Sequence, residues 1–199
     1  MTTSPGGTVT IPIKVSGFTG VTSFQFSLQW DPAKLTFQTL GGYGLNGLSS
    51  GNFNLLQTNQ GQLSVSWDDT TATGVTLADG SAIFTVQIGV TAAAGQCPVT
   101  IADQPTAREV TVDFDVATFA AVSGGVAVQG PPRLSQACVA GNQFRVTVEG
   151  SAGTNYYLLQ STNLWEWTTN QTLVLTNSTQ MLSLPIVEQQ MFFRLQQRP

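Results

Sequence analysis

The chain has 199 residues, only 9% of them charged, and a formal net charge of −4. Histidine is absent, which excludes Ser-His-Asp and Cys-His catalysis and most zinc sites; the seven Lys and Arg are scattered and form no basic run that could replace nucleic-acid counterions. No stretch approaches the roughly 18 consecutive apolar residues of a membrane-spanning helix, so neither nucleic acid nor membrane insertion is expected.

Period-2 alternation dominates from the start. Val9, Ile11, Ile13 and Val15 alternate with Thr8, Thr10, Pro12 and Lys14. Pro12 has no N–H to donate to a ladder, which places this strand at a sheet edge or at a break. Phe24, Phe26, Leu28 and Trp30 alternate with Ser23, Gln25, Ser27 and Gln29, and Asp31-Pro32 ends the run in a turn. Leu35 and Phe37 begin another strand, and a Gly-rich loop follows from Gly41 to Gly51. Phe53 to Gln57 and Leu63 to Trp67 read as a hairpin around Asn59-Gln60-Gly61. Phe84, Val86, Ile88 and Val90 form the next inward set, with Thr85 and Gln87 facing out. Val99 and Ile101 continue the pattern, then Val110, Val112, Phe114 and Val116 as one strand, and Val126 and Val128 close it. No segment has a helical period.

Gln129-Gly130-Pro131-Pro132 breaks the pattern and reads as a boundary between residues 1–129 and 130–199. Beyond it, strands are expected at Phe144 to Val148, Tyr156 to Gln160, Leu173 to Leu175, Met181 to Leu184 and Met191 to Leu195. About 67 residues can hold one small sandwich with a thin core, for which Trp165, Trp167, Phe192 and Phe193 are the expected large fillers, with one of Trp165 and Trp167 expected to point out because they bracket Glu166 in a turn. The fold class is all-β, and many short strands at regular spacing mean a sandwich or barrel. A surface built from Thr, Ser, Gln, Asn and Gly, with charge far below the usual share of about 25%, suits a secreted or cell-surface protein.

Several segments in order resemble a known family. Gly17 to Phe37 reads GFTGVTSFQFSLQWDPAKLTF, preceded by PGGTVTIPIKV at residues 5–15. QLSVSWDD (62–69), DGSAIFTVQIGV (79–90) and SGGVAV (123–128) follow. Together they are similar to cohesin modules over about residues 5–129. The resemblance implies a nine-stranded jelly-roll sandwich. It also implies a non-catalytic receptor for the calcium-loaded dockerin module of a partner protein, on an architecture shared with carbohydrate-binding modules. Many dockerin-binding cohesins have an Asn and an Asp where this sequence has Ser23 and Gln25, so the carboxylate is missing. The segments GTNYYLLQSTNLWEW (153–167) and FFRL (192–195) resemble a small Ig-like module at the C-terminal end of large secreted bacterial proteins, which implies a spacer or attachment unit.

The strand order of the resembled family gives one outward binding face: Ser23, Gln25, Ser27 and Gln29 with Ser64, Ser66 and Gln87. Its expected partner is a protein, either dockerin-like or a second copy in a filament or surface layer. A polysaccharide is a further reading, because Trp30, Trp67, Trp165 and Trp167 offer rings for stacking, although the register of Trp30 and Trp67 with apolar neighbours favours a core role. Asp68 and Asp69 follow a strand end and read as a turn rather than a calcium or acid–base pair, since calcium needs six or more oxygens. Asp113 and Asp115 share one face of one strand and read as a solvated acidic stripe. Spacing does not decide whether Cys97 and Cys138 are bridged or two separate thiols. No GxSxG, phosphate loop or dinucleotide fingerprint occurs, so no catalytic residue, metal or cofactor is expected.

Overall fold

The computed structural model describes residues 1–198. The alternating segments become strands, and the chain divides into two compact units, Met1–Val128 and a second beginning at Gln129. In the first unit β1 (Thr2–Thr3), β2 (Thr8–Lys14), β3 (Val21–Trp30), β4 (Leu35–Gly41) and β5 (Phe53–Asn54) come first. They are followed by β6 (Gln62–Asp68), β7 (Ala82–Val90), β8 (Gly95–Ala102), β9 (Glu109–Val112), β10 (Asp115–Ala117) and β11 (Gly124–Val128). Eleven strands thus stand where nine were expected, and two of them, β1 and β5, are only two residues long.

The larger sheet runs β1-β11-β8-β3-β6-β5, with β9 also beside β3 and β10 beyond β9. The second sheet is β2-β7-β4. Pro12 lies on the edge strand β2, where a missing N–H costs no ladder bond. Between the sheets pack the inward residues of each strand: Phe24, Phe26 and Leu28 of β3, Leu63, Val65 and Trp67 of β6, and Phe84, Val86 and Ile88 of β7. Phe24 stacks on its cross-strand partner Trp67 within the larger sheet at 5.4 Å, and Phe26 of that sheet stacks on Phe84 of the other at 6.2 Å, which binds the layers. The Gly-rich loop is not merely a connector. It buries Leu45 and Leu48, and its Asn46 carbonyl accepts a 2.8 Å hydrogen bond from the Trp67 indole.

The expected strand from Val110 to Val116 is instead the hairpin β9–β10. Its two-residue turn is Asp113-Phe114, both at positive φ (49° and 68°), and Asp115 pairs back with Val112. Two positive-φ residues match the strand twist in a type I′ turn. The acidic stripe of one strand therefore does not exist: Asp113 is in the turn and Asp115 is on the return strand.

The second unit has β12 (Arg133–Ala140), β13 (Gln143–Glu149), β14 (Asn155–Ser161), β15 (Thr168–Val174), β16 (Thr179–Pro185) and β17 (Phe192–Gln197). They form two three-stranded antiparallel sheets, β12-β13-β16 and β15-β14-β17. Val146, Val148, Tyr156, Leu158, Leu173, Leu175, Leu182 and Leu184 fill the space between them. Phe193 packs on this core, its ring stacked on Phe144 at 5.1 Å. Trp165 does not: it is 88% exposed and is the one of the two tryptophans that points out, while Trp167 is half-buried.

Candidate docking face

The outward face of the larger sheet is built on β3. Alternation sends Ser23, Gln25, Ser27 and Gln29 away from the core because Phe24, Phe26, Leu28 and Trp30 face into it. Antiparallel register then sets Ser23 against Asp68, Gln25 against Ser66, and Ser27 against Ser64 on β6. On the other side of β3, Thr111 and Glu109 of β9 lie opposite Ser23 and Gln25. Two short rows cross the face: Thr111–Ser23–Asp68 and Glu109–Gln25–Ser66.

Of the seven residues expected on this face, Gln29 is half-buried and donates to the Gln104 carbonyl at 3.1 Å, and the other six separate into three groups. Ser23 and Gln25 are half-buried and Ser66 is exposed, so all three are on the open part of the face. Ser27 and Ser64 have the right parity but are covered. The Ser27 hydroxyl donates to the Thr106 carbonyl and accepts from the Thr106 N–H, both at 2.8 Å, which pins the 103–108 loop over it. Ser64 lies opposite Asn54 of β5. Gln87 is not on this face at all. It lies on β7, between Thr10 and Thr39, on the outside of the second sheet. Parity distinguishes inside from outside, but both sheets of a sandwich have an outside.

A shallow groove of about 330 Å³ runs beside the open part, lined by Gln25, Asn52, Asn54, Ser64, Ser66 and Thr106. Asn52 is fixed there, donating to the Ser66 carbonyl at 3.0 Å and accepting from the Ser49 N–H at 2.9 Å. Thr106, Glu109, Thr111, Asn52 and Asn54 also border this face but are not among the residues expected on it. The β9 alternation and the cross-strand register carry the signal for Glu109 and Thr111, but register is not readable before the pairing is known.

The fold of the first unit is matched by known proteins. The family model described as "Cohesin domain" matches residues 1–128. The chain belongs to the cohesin family. The OlpA cohesin of Clostridium thermocellum, solved in a type I complex with a dockerin, is 17% identical with a TM-score of 0.54, covering 64% of this chain and 92% of that one. A cohesin of Clostridium acetobutylicum is 19% identical with a TM-score of 0.52, covering 64% and 84%. A non-cellulosomal cohesin of the hyperthermophilic archaeon Archaeoglobus fulgidus is 22% identical with a TM-score of 0.50, again covering 64% and 84%. No curated protein matches the chain.

In this cohesin unit the only cation near the face is already engaged. Arg108 makes a two-pronged pair with Asp103 at 2.7 and 3.0 Å, and its guanidinium draws the Asp103 carboxyl down to about 2. Asp68 and Glu109 are exposed and enter no ion pair among the described residues. The cohesin face is thus polar and mildly acidic. Asp69, next to it, is a turn cap: its carboxylate accepts from the Thr71 hydroxyl and from the N–H groups of Thr71, Thr73 and Gly74. Those bonds, the Thr71 hydroxyl first, hold it below the ordinary carboxylate range. Among the described residues no cluster of three acidic or cysteine side chains could hold a metal, and no helix is long and apolar enough to cross a membrane. Trp30 and Trp67 belong to the cohesin core. Both thiols are free, Cys97 buried in the first unit and Cys138 exposed on β12.

Proposed function

We propose that the first unit is a non-catalytic docking module that receives a dockerin-like protein on the β3–β6 face, on a secreted or cell-surface protein. The observation that carries this reading is the open polar patch of Ser23, Gln25 and Ser66, flanked by a groove and by the unpaired carboxylates of Asp68 and Glu109. A sheet that served only the core would need no such open polar patch with its one nearby cation already paired. Membership of a family of interaction modules supports it, as do cohesins of the same fold solved with dockerins. The missing carboxylate at Gln25 has a counterpart in Glu109, which register places directly beside it. A partner would be read by hydrogen bonds to amides and hydroxyls, with basic groups meeting the two acids. The low charge of the surface supports an extracellular setting, and the two antiparallel sheets of the second unit support an Ig-like companion.

The test is titration of the full chain with a panel of calcium-loaded dockerins by calorimetry. Ser66→Arg places a bulky cation on the patch without disturbing the core and is expected to abolish binding. Gln87→Arg, on the opposite sheet, is expected to leave it unchanged. The reverse pattern, or no binding by any dockerin in the panel, overturns the reading; concentration-dependent self-association lost in Ser66→Arg would replace the partner with a second copy.

A further inference from the structure

The second unit holds an arrangement that the docking face does not use. The segment from Ser161 to Trp167 joins β14 to β15 and is closely pinned. The Ser161 hydroxyl accepts from the N–H groups of Asn163 and Leu164, at 3.2 and 2.8 Å. The Asn163 side-chain oxygen accepts from those of Trp165 and Glu166, both at 3.0 Å. The Trp167 indole closes the turn by donating to the Leu164 carbonyl at 3.0 Å, and the Arg194 guanidinium lies over its ring at 4.5 Å.

Two costs are accepted at this loop. Leu164 stands at φ 68°, a region that L side chains avoid. Trp165 exposes 88% of its surface to water. A loop held this firmly displays the indole rather than letting it fold back.

Beside it lies a groove of about 240 Å³, whose lining includes Gln160, Asn163, Glu166, Thr168, Glu188 and Met191. Asn163 and Glu166 come from the same turn as Trp165, so one turn carries both the displayed ring and part of the groove wall. The lining chemistry is selective. Two carboxylates offer acceptors only, the amides and the Thr168 hydroxyl offer donors as well, and Met191 supplies an apolar wall. No cation lines it, which disfavours phosphates, nucleic acids and acidic polymers. A flat aromatic next to mixed donors and acceptors without positive charge fits a neutral sugar, whose ring presents an apolar C–H face and a rim of hydroxyls.

We propose that this loop and groove bind a neutral glycan, with Trp165 stacking on a sugar ring and Glu166, Glu188 and Asn163 hydrogen-bonding its hydroxyls. The site lies in the second unit, and the β3–β6 face lies in the first.

The experiment is titration of the full chain with cellohexaose, xylohexaose, mannohexaose and chitohexaose at up to millimolar concentration. Wild-type binding is read by tryptophan emission and by calorimetry, and the variants by calorimetry. At least one oligosaccharide is expected to bind saturably with a blue shift, as water leaves the Trp165 ring. Trp165→Ala removes an exposed side chain, so the fold stands, and affinity is expected to fall about tenfold, the size of one good aromatic contact. Glu166→Gln is expected to weaken binding several-fold, and Ser66→Arg to leave it unchanged. No saturable response across the panel, or equal affinity in Trp165→Ala, overturns the proposal. So does a blue shift that appears only with rising protein concentration, which would mark the loop as a contact between copies.

Discussion

The two units use the same alternating pattern and reach very different interiors. The first buries a cluster of 24 hydrophobic residues, cross-braced by stacked Phe24, Trp67, Phe26 and Phe84. Among the described residues the second buries a cluster of eight, and its largest fully buried side chain, Tyr156, has a polar tip. That tip is satisfied locally: the Tyr156 hydroxyl accepts from the Ser151 N–H at 2.8 Å. A small β-unit with little apolar volume thus leans on placed hydrogen bonds where a larger one leans on rings. Its acid–base contacts fit the same account, since Arg133 and Ser135 both bond the Glu149 carboxylate across the β12–β13 edge.

Cavity-forming variants give the largest expected contrast. Leu63 and Leu158 are both fully buried, and truncation of either to alanine is expected to cost about 2–5 kcal/mol. That loss is a greater share of what eight core residues can supply. Hydrogen exchange should therefore show Leu158→Ala losing protection throughout β13–β16, while Leu63→Ala keeps slow amides in β3 and β7. Equal loss in the two variants would dissolve the contrast.

A smaller effect tests the polar tip. Tyr156→Phe keeps the ring and leaves the Ser151 N–H without its partner. Thermal unfolding should report a loss of about 1 kcal/mol, the usual net value of such a bond. No change would mean that the hydroxyl is ornamental to the second unit.

The smallest effect is absent at neutral pH and appears only in acid. Asp69 in the first unit is held below its ordinary value of 3.8, chiefly by the Thr71 hydroxyl. Glu149 in the second is held below 4.5, by the Ser135 hydroxyl first and Arg133 next. A depressed folded-state pKa stabilises fully above the unfolded value, and that stabilisation is lost as the pH falls through the folded one. Each unit should therefore weaken below about pH 4, and Asp69→Asn should make that acid limb shallower for the first unit alone, leaving the shares of Asp79 and Asp103. Carboxyl NMR titrations that find either group at or above its ordinary value would remove its part in the effect.

What the sequence made legible was local. The β3 run declares itself because aromatics and polar residues alternate without interruption, and Pro12 marks an edge because its missing N–H acts wherever the strand goes. The membership of the proposed docking patch was legible only in part. Ser27, Ser64 and Ser66 look alike in a string, yet the Thr106 loop and β5 cover the first two. Gln87 shares their parity, but which of two sheets a strand joins depends on pairing with distant segments. Val110 to Val116 alternates straight through a turn, since Asp113 and Phe114 stand where Gly or Asn usually signals one. β12 was hidden by a bulge at Gln136, φ 49°, which shifts the register between Ser135 and Cys138 and erases the period.

The two cysteines supply the molecule with built-in clocks. Cys97 is sealed in the first core and Cys138 stands exposed on β12. A thiol reagent should consume Cys138 at the rate of the bare chemistry. Cys97 must wait for its surroundings to open. The delay between the two reactions measures how often the docking unit breathes, with the exposed thiol as the internal standard and no foreign label in the chain.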